Sequence, residues 1–193
     1  MKHRSKIPSR EEEAKVLDTI LKLDPADWLI YWLMGKRGLR IGEIVSNHRN
    51  GADLPGLQIQ DLTDSGVHVK GKKGHDDFIP LPKEIVAGLR ELFGDIETGP
   101  IFHNVASHAD PVGVMDHRTK VYCKEAGIED WQYIHPHAFR HAFGYKLARQ
   151  VGGDVYKVRD GMRHKGIQQS SRYVHGMSPE DLKETLERLD QTS

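Results

Sequence analysis

At 193 residues the chain suits one compact core and is too short for several full-sized domains. Its 28 basic and 28 acidic residues cancel, which argues against a polycationic binder, and no apolar run approaches the ~18 residues that would cross a bilayer. A lone Cys123 excludes an internal disulfide, and the basic start runs into an acidic stretch instead of an apolar signal core, so a cytoplasmic setting is expected.

Residues 1–8 are expected to form a flexible lead. Ser9 and Glu12 then stand three apart before an apolar stripe of Ala14, Leu17, Ile20 and Leu21, the pattern of a capping box opening a helix. Asp24 and Pro25 break that helix and start another, whose seven consecutive apolar residues, 28–34, predict burial on most sides. Residues 35–38 (GKRG) read as a turn, 39–44 as the start of a third helix and 46–56 as a polar loop. Residues 57–60, 67–70 and 78–81 predict three short strands separated by turn formers.

A helix over 83–93 follows, with Ile85, Val86, Leu89 and Leu92 in register. Residues 94–112 read as loop apart from a short element at Ile101 and Phe102, and 114–125 as a helix ended by Gly127. Pro136 suits a first helical position, with Phe139, Ala142, Phe143 and Leu147 facing inward. Gly152 and Gly153 end that helix, Asp154 caps the next over 155–162, and a short helix follows over 168–173. Ser178 and Pro179 cap a last helix with a narrow stripe of Leu182, Leu186 and Leu189. The fold class is mainly α with a small three-stranded antiparallel sheet (α+β), in a single domain.

Charge is unevenly spread. Residues 113–176 carry 11 Lys or Arg against 6 Asp or Glu, mild support for a polyanionic partner at that stretch. Six residues there and upstream have the chemistry to handle a phosphate: Arg40, Lys72, His137, Arg140, His164 and Tyr173. Arg40 and Arg140 are planar, bidentate donors suited to phosphate oxygens. His137 and Arg140 lie three apart on one helix, on neighbouring ridges. Lys72 sits at a strand-to-strand turn, a mobile place for a proton donor. Taken singly, each of these residues reads as an ordinary surface or core residue. His137 and His141, four apart, lack the carboxylate or cysteine partners of a metal site, so no metal is expected. Trp28, Trp32 and Phe143 read as core.

Four segments in order resemble the boxes of the tyrosine recombinases, the phage integrase family. GLRIGEI (38–44) resembles the first arginine box, and VKGKKG (69–74) followed by IPLP (79–82) the hairpin lysine motif. HPHAFRH (135–141) matches the His-x-x-Arg box, and RH (163–164) with RYVH (172–175) the terminal histidine and tyrosine. The resemblance covers about residues 9–176. Two departures stand out: the Arg40–Lys72 interval is long, and Met162 and Arg163 stand where Leu-Gly is usual.

The resemblance implies an integrase-like catalytic domain of DNA breaking-rejoining enzymes, a core over 9–176 and a C-terminal helix over 177–193 exchanged between protomers. The family's N-terminal core-binding domain is expected to be absent, which fits a minimal recombinase, a fragment, or a protein that relies on an accessory protein for that domain. Tyr173 would attack a DNA phosphodiester to give a 3′-phosphotyrosine. Arg40, Arg140 and His164 would hold the phosphate, Lys72 would protonate the leaving 5′-oxygen, and His137 would assist proton transfer. Glu43 would support the pocket by orienting an arginine or the helix. Lys70, Lys73 and Arg172 are plausible DNA backbone contacts. Duplex DNA with a specific recombination site is the implied partner, with a homotetramer in synapsis, and neither cofactor nor ATP is required. Two alternatives remain: a type IB topoisomerase, which uses nearly the same residues but swivels DNA, and a catalytically silent DNA-binding regulator, against which the intact set of six residues argues.

Overall fold

The structure, a computed structural model, describes residues 5–48, 54–71 and 76–174. Where the sequence anticipates one domain, the chain divides into two compact units, residues 1–142 and 143–193. The division falls inside one helix, α7 (Pro136–Gln150).

In the first unit, α1 (Arg10–Leu23) opens as its sequence predicts. The Glu12 amide donates to Ser9 Oγ and the Ser9 amide to the Glu12 carboxylate. Such a cap is worth about 1 kcal/mol. Residues 5–8, expected to be flexible, are tied down instead: the Lys6 amide donates to the Tyr133 carbonyl and its ammonium to the Glu129 carbonyl and to Glu12. Asp24 serves two helices. Its amide closes α1 on Ile20, and its carboxylate accepts from the Asp27 amide to open α2 (Pro25–Arg37).

Helix α2 runs through the stretch read as a turn and stops at Gly38, which takes a left-handed φ of 66°. Gly35 is helical and buried, and a Cβ there would crowd the Glu13 carboxylate at 2.9 Å. The third helix, α3 (Ile41–Ile44), is a single turn that begins after Arg40, which stays extended. The described ends of the polar loop that follows are bridged, Asn47 to Leu54, by a pair of backbone hydrogen bonds.

Strands β1 (Gly66–Lys70) and β2 (Asp76–Pro80) pair antiparallel, with Val67 opposite Ile79. The sheet is small and antiparallel as expected, but two-stranded among the described residues. Residues 57–60 are not the third strand. The Ile101 amide donates to Leu57 and the Ile59 amide to Gly99, so that segment pairs briefly with 99–101 and then coils into a 3-10 turn over Ile59–Asp61. Inward residues Val67, Val69 and Ile79 meet the helical core.

Helix α4 (Lys83–Glu91) is followed by a short α5 (His103–Ala106) in the stretch read as loop, then by α6 (Pro111–Glu125), which Asp110 caps. Tyr31 is the hub of this core. Its ring meets Phe139 and Tyr122 edge-on at 5.0 and 6.0 Å, and its hydroxyl lies 2.7 Å from Thr119 Oγ1. Phe139, on the first turns of α7, is wholly buried here. Burying a side chain of that size stabilises by ~1.5–3 kcal/mol.

In the second unit the rest of α7 packs with α8 (Val155–Gly161) and α9 (Ile167–Val174) around Ala148, Val158, Met162 and Tyr173. Gly152 and Gly153 end α7 with positive φ, and the Asp154 carboxylate accepts from the Tyr156 and Lys157 amides to open α8. The predicted final helix, with Leu182, Leu186 and Leu189, lies outside the described residues, as do Lys72 and Lys73. No described helix is long and apolar enough to cross a membrane.

Candidate active site

Within the first unit the fold draws Arg40, Glu43, His137 and Arg140 together. Arg40 sits at the start of α3, whose buried Ile41 and Ile44 fix the turn. The Glu43 carboxylate, only 4% exposed, accepts from the Arg40 amide at 2.8 Å with one oxygen and from its guanidinium at 2.7 Å with the other. Arg40 keeps 38% of its side chain exposed. The expectation that Glu43 orients an arginine therefore has a direct geometric counterpart.

Arg140 is 5% exposed and donates to the carbonyl of Gly38. That carbonyl belongs to the left-handed residue that closes α2, immediately before Leu39 and Arg40. One bond thus ties the corner carrying Arg40 to the helix carrying His137. An α-carbon with a side chain would resist this corner, because positive φ favours glycine.

His137 occupies the second position of α7. Part of its surface meets solvent, but burial pushes its imidazole below the 6.5 of a free histidine. The positive charges of Arg140 and Arg40 push the same way, against the opposing charge of Glu43. A neutral imidazole is held beside two permanent cations, so it can take a proton near pH 7.

Beside this cluster lies a crevice of about 320 Å³, lined by Ile41, Val112, Gly113, Asp116, His135, Pro136 and His137. Asp116 and His135 were not singled out by the sequence. They pair with each other, His135 Nδ1 to Asp116 Oδ1, at 2.6 Å.

His164 and Tyr173 form a second group, inside the second unit. Their rings stack at 6.0 Å with 19° between planes, and Tyr145 meets Tyr173 edge-on at 5.1 Å. His164 Nδ1 lies 2.8 Å from Ser170 Oγ, which is itself wholly buried. Tyr173 is 3% exposed. Gly144 makes the seat: a Cβ there would stand 2.6 Å from Tyr173 Cε1. Neither Ser170 nor Gly144 stands out in the sequence, since the role of each depends on what packs against α9.

Lys70 is exposed but pairs with Asp61 at 3.2 Å, and Arg172 is exposed on α9. Among the described residues no group of three or more His, Cys, Asp or Glu side chains is placed to hold a metal ion.

A mainly helical fold with one hairpin and two guanidiniums flanking a neutral imidazole is of a class suited to gripping an oxyanion such as phosphate. The profile of the Phage integrase family matches residues 9–178, and the chain belongs to that family. It is similar to the tyrosine recombinase XerC of Chromobacterium violaceum, 28% identical over 171 residues, covering 83% of this chain and 52% of that protein. Several solved structures share its fold. The XerA recombinase superposes with a TM-score of 0.74 at 21% identity, over 97% of this chain and 66% of that one. The XerH site-specific recombinase bound to palindromic difH substrate, in a post-cleavage complex, gives 0.70 at 19% identity, over 95% and 53%. The chain spans about half the length of the curated XerC relatives it matches.

Proposed function

We propose that this chain carries the catalytic core of a site-specific tyrosine recombinase that cleaves and rejoins duplex DNA. In this reading Tyr173 Oη attacks a phosphodiester phosphorus, the P–O5′ bond breaks, and the 3′ end is left as a phosphotyrosine. The phenolic proton passes to a base, for which neutral His137 is suited, and the 5′-oxygen takes a proton from Lys72. Arg40 and Arg140 hold the non-bridging oxygens as charge builds on them, and His164 adds a further donor. The bond energy is kept in the covalent adduct, so a free 5′-hydroxyl can reverse the step without ATP. A phenol with a pKa of about 10 is a poor nucleophile at neutral pH, and cations and a base at the phosphate offset that.

The observation that carries the reading is the arginine cluster. Arg40 is fixed by buried Glu43, Arg140 by the Gly38 carbonyl, and both charges act on His137. Fixed donors aimed at developing charge are often the largest catalytic contribution. The relatives' names, recombinases throughout, favour strand exchange over swivelling. Duplex DNA with a specific site is the substrate class, a homotetramer on DNA the working assembly, and an accessory protein or further domain the source of additional DNA contacts. Residues 177–193 are the segment that would be exchanged between protomers.

The test is covalent trapping on nicked duplex substrates. The wild-type chain is expected to leave a DNA-linked protein band, and Tyr173→Phe none. A wild type that traps nothing, or a Phe variant that traps equally, overturns the proposal.

A further inference from the structure

Helix α7 starts in an unusual way. Pro136 has no amide to offer, and the His135 carbonyl accepts the first turn's bond from Ala138 at 2.8 Å. His135 therefore stands where an N-cap residue would, yet an imidazole is a poor substitute for the short oxygen-bearing side chains that cap well. Its ring turns outward from the helix and binds Asp116 on α6 at 2.6 Å. The other Asp116 oxygen binds Lys120, one turn further along α6, at 2.7 Å.

Asp116 is thus held by two donors. Burial works to raise its carboxyl pKa, but the hydrogen bonds and charges of Lys120 and His135 prevail and hold it below the usual value. The pair lines the crevice together with Pro136, His137 and Ile41. Ile41 follows Arg40 directly. A displacement of His135 would therefore move His137, two residues on, relative to the guanidiniums at its side. The groups whose charge acts on His137 are Arg140, Arg40, Glu43 and His135 itself.

We infer that Asp116, acting through His135, is a positioning residue that fixes the first turn of α7 and so aligns His137 with Arg40 and Arg140. The inference rests on the phosphodiester-transfer reading for its functional consequence, but the mechanical link can be measured without DNA. In this inference Asp116 acts through His135 and not on the phosphate itself. Its effect should appear in the rate of the chemical step and leave DNA affinity alone.

The experiment compares the wild type with Asp116→Ala, His135→Ala, the double variant and the shape-conserving Asp116→Asn, all as the full chain. Single-turnover adduct formation at saturating nicked DNA is expected to fall about tenfold in Asp116→Ala, with half-saturating DNA within about twofold. The double variant should be no slower than the worse single, since residues acting as one unit are not additive. Asp116→Asn should recover part of the rate. In parallel, the His137 Cε1–H resonance is followed by NMR without DNA. It should move in Asp116→Ala, and its titration midpoint should rise toward that of a solvated histidine.

A His137 resonance that stays put, losses that multiply in the double variant, or weakened DNA binding at an unchanged rate would each overturn the inference. Should Asp116→Ala melt below the assay temperature, Asp116→Asn and His135→Ala carry both measurements. A wild type that forms no adduct while the resonance moves would sink the recombinase reading and leave the brace standing.

Discussion

In the first unit the charged groups are fixed by bonds between distant parts of the chain. Arg140 reaches a carbonyl 102 positions away, and His135 reaches across 19 to Asp116. In the second unit the Tyr173 ring, on α9, meets Tyr145 of α7 edge-on, stacks on His164 in the link before α9, and lies against Gly144, where a methyl would crowd it. The first arrangement is electrostatic and anchored at both ends. The second is built on ring packing among residues close in sequence. In the reading proposed above, the arginines are the groups whose position the fold fixes through charged bonds, and the tyrosine is the group it buries, at 3% exposed.

The largest expected effect breaks the anchored side. Arg140→Ala removes a fixed donor, for which a loss of ~10²–10³ in cleavage rate is expected. It also strips the Gly38 carbonyl of its partner, costing about 1–3 kcal/mol of stability. Single-turnover trapping and denaturant melts read the two effects separately. A rate within threefold of wild type would break the comparison.

Glu43→Gln comes next. It keeps the shape but removes the charge that faces the Arg40 guanidinium, and misplacement of that group should slow cleavage roughly tenfold to a hundredfold. A salt-independent melting curve with unchanged rate would mean that Arg40 holds its position unaided.

On the steric side, Gly144→Ala should crowd the Tyr173 ring and cost about 1–3 kcal/mol. The sharper readout is chemical: nitration of Tyr173, followed by peptide mapping, should speed up. Equal nitration in both proteins would show that the α7–α9 packing is not what shields the phenol.

The smallest effect concerns pH. The folded His137 binds its proton less readily than the unfolded chain does, from a starting value of 6.5. Its contribution to stability is therefore whole above that value and declines as pH falls from there toward the lower folded value. Cleavage by the neutral imidazole should likewise persist below pH 6.5 before it fails. His137→Gln should flatten that acid limb, measured as single-turnover rate against pH.

Features of the fold set by adjacent residues were legible in the sequence. The Ser9–Glu12 box, the Asp24–Pro25 corner, Pro136 at the head of α7 and the Gly152–Gly153 stop all rest on local hydrogen bonding or backbone freedom. The same Asp-Pro signal recurs at Asp110 and Pro111, where α6 begins three residues before the predicted start. Leu57 to Gln60 misled because alternation reveals a two-faced segment but not its partner, which proved to be 99–101 and not β1. Within the site, residue types and their order pointed to Arg40, His137 and Arg140. Glu43, which holds Arg40, is local and was legible too, whereas the Gly38 carbonyl that Arg140 meets and the Asp116 that His135 meets follow from long-range packing that no short window contains.

Glu43 bonds Arg40 twice, one oxygen on its main chain and one on its side chain. One carboxylate therefore holds both the guanidinium and the backbone at the head of α3. The torsional entropy of a long cation, commonly ~0.5–1.5 kcal/mol when such a side chain is immobilised at an interface, is thus surrendered while the chain folds. An incoming anion meets a guanidinium with few rotamers left to lose, and less of its attraction is consumed in stilling it.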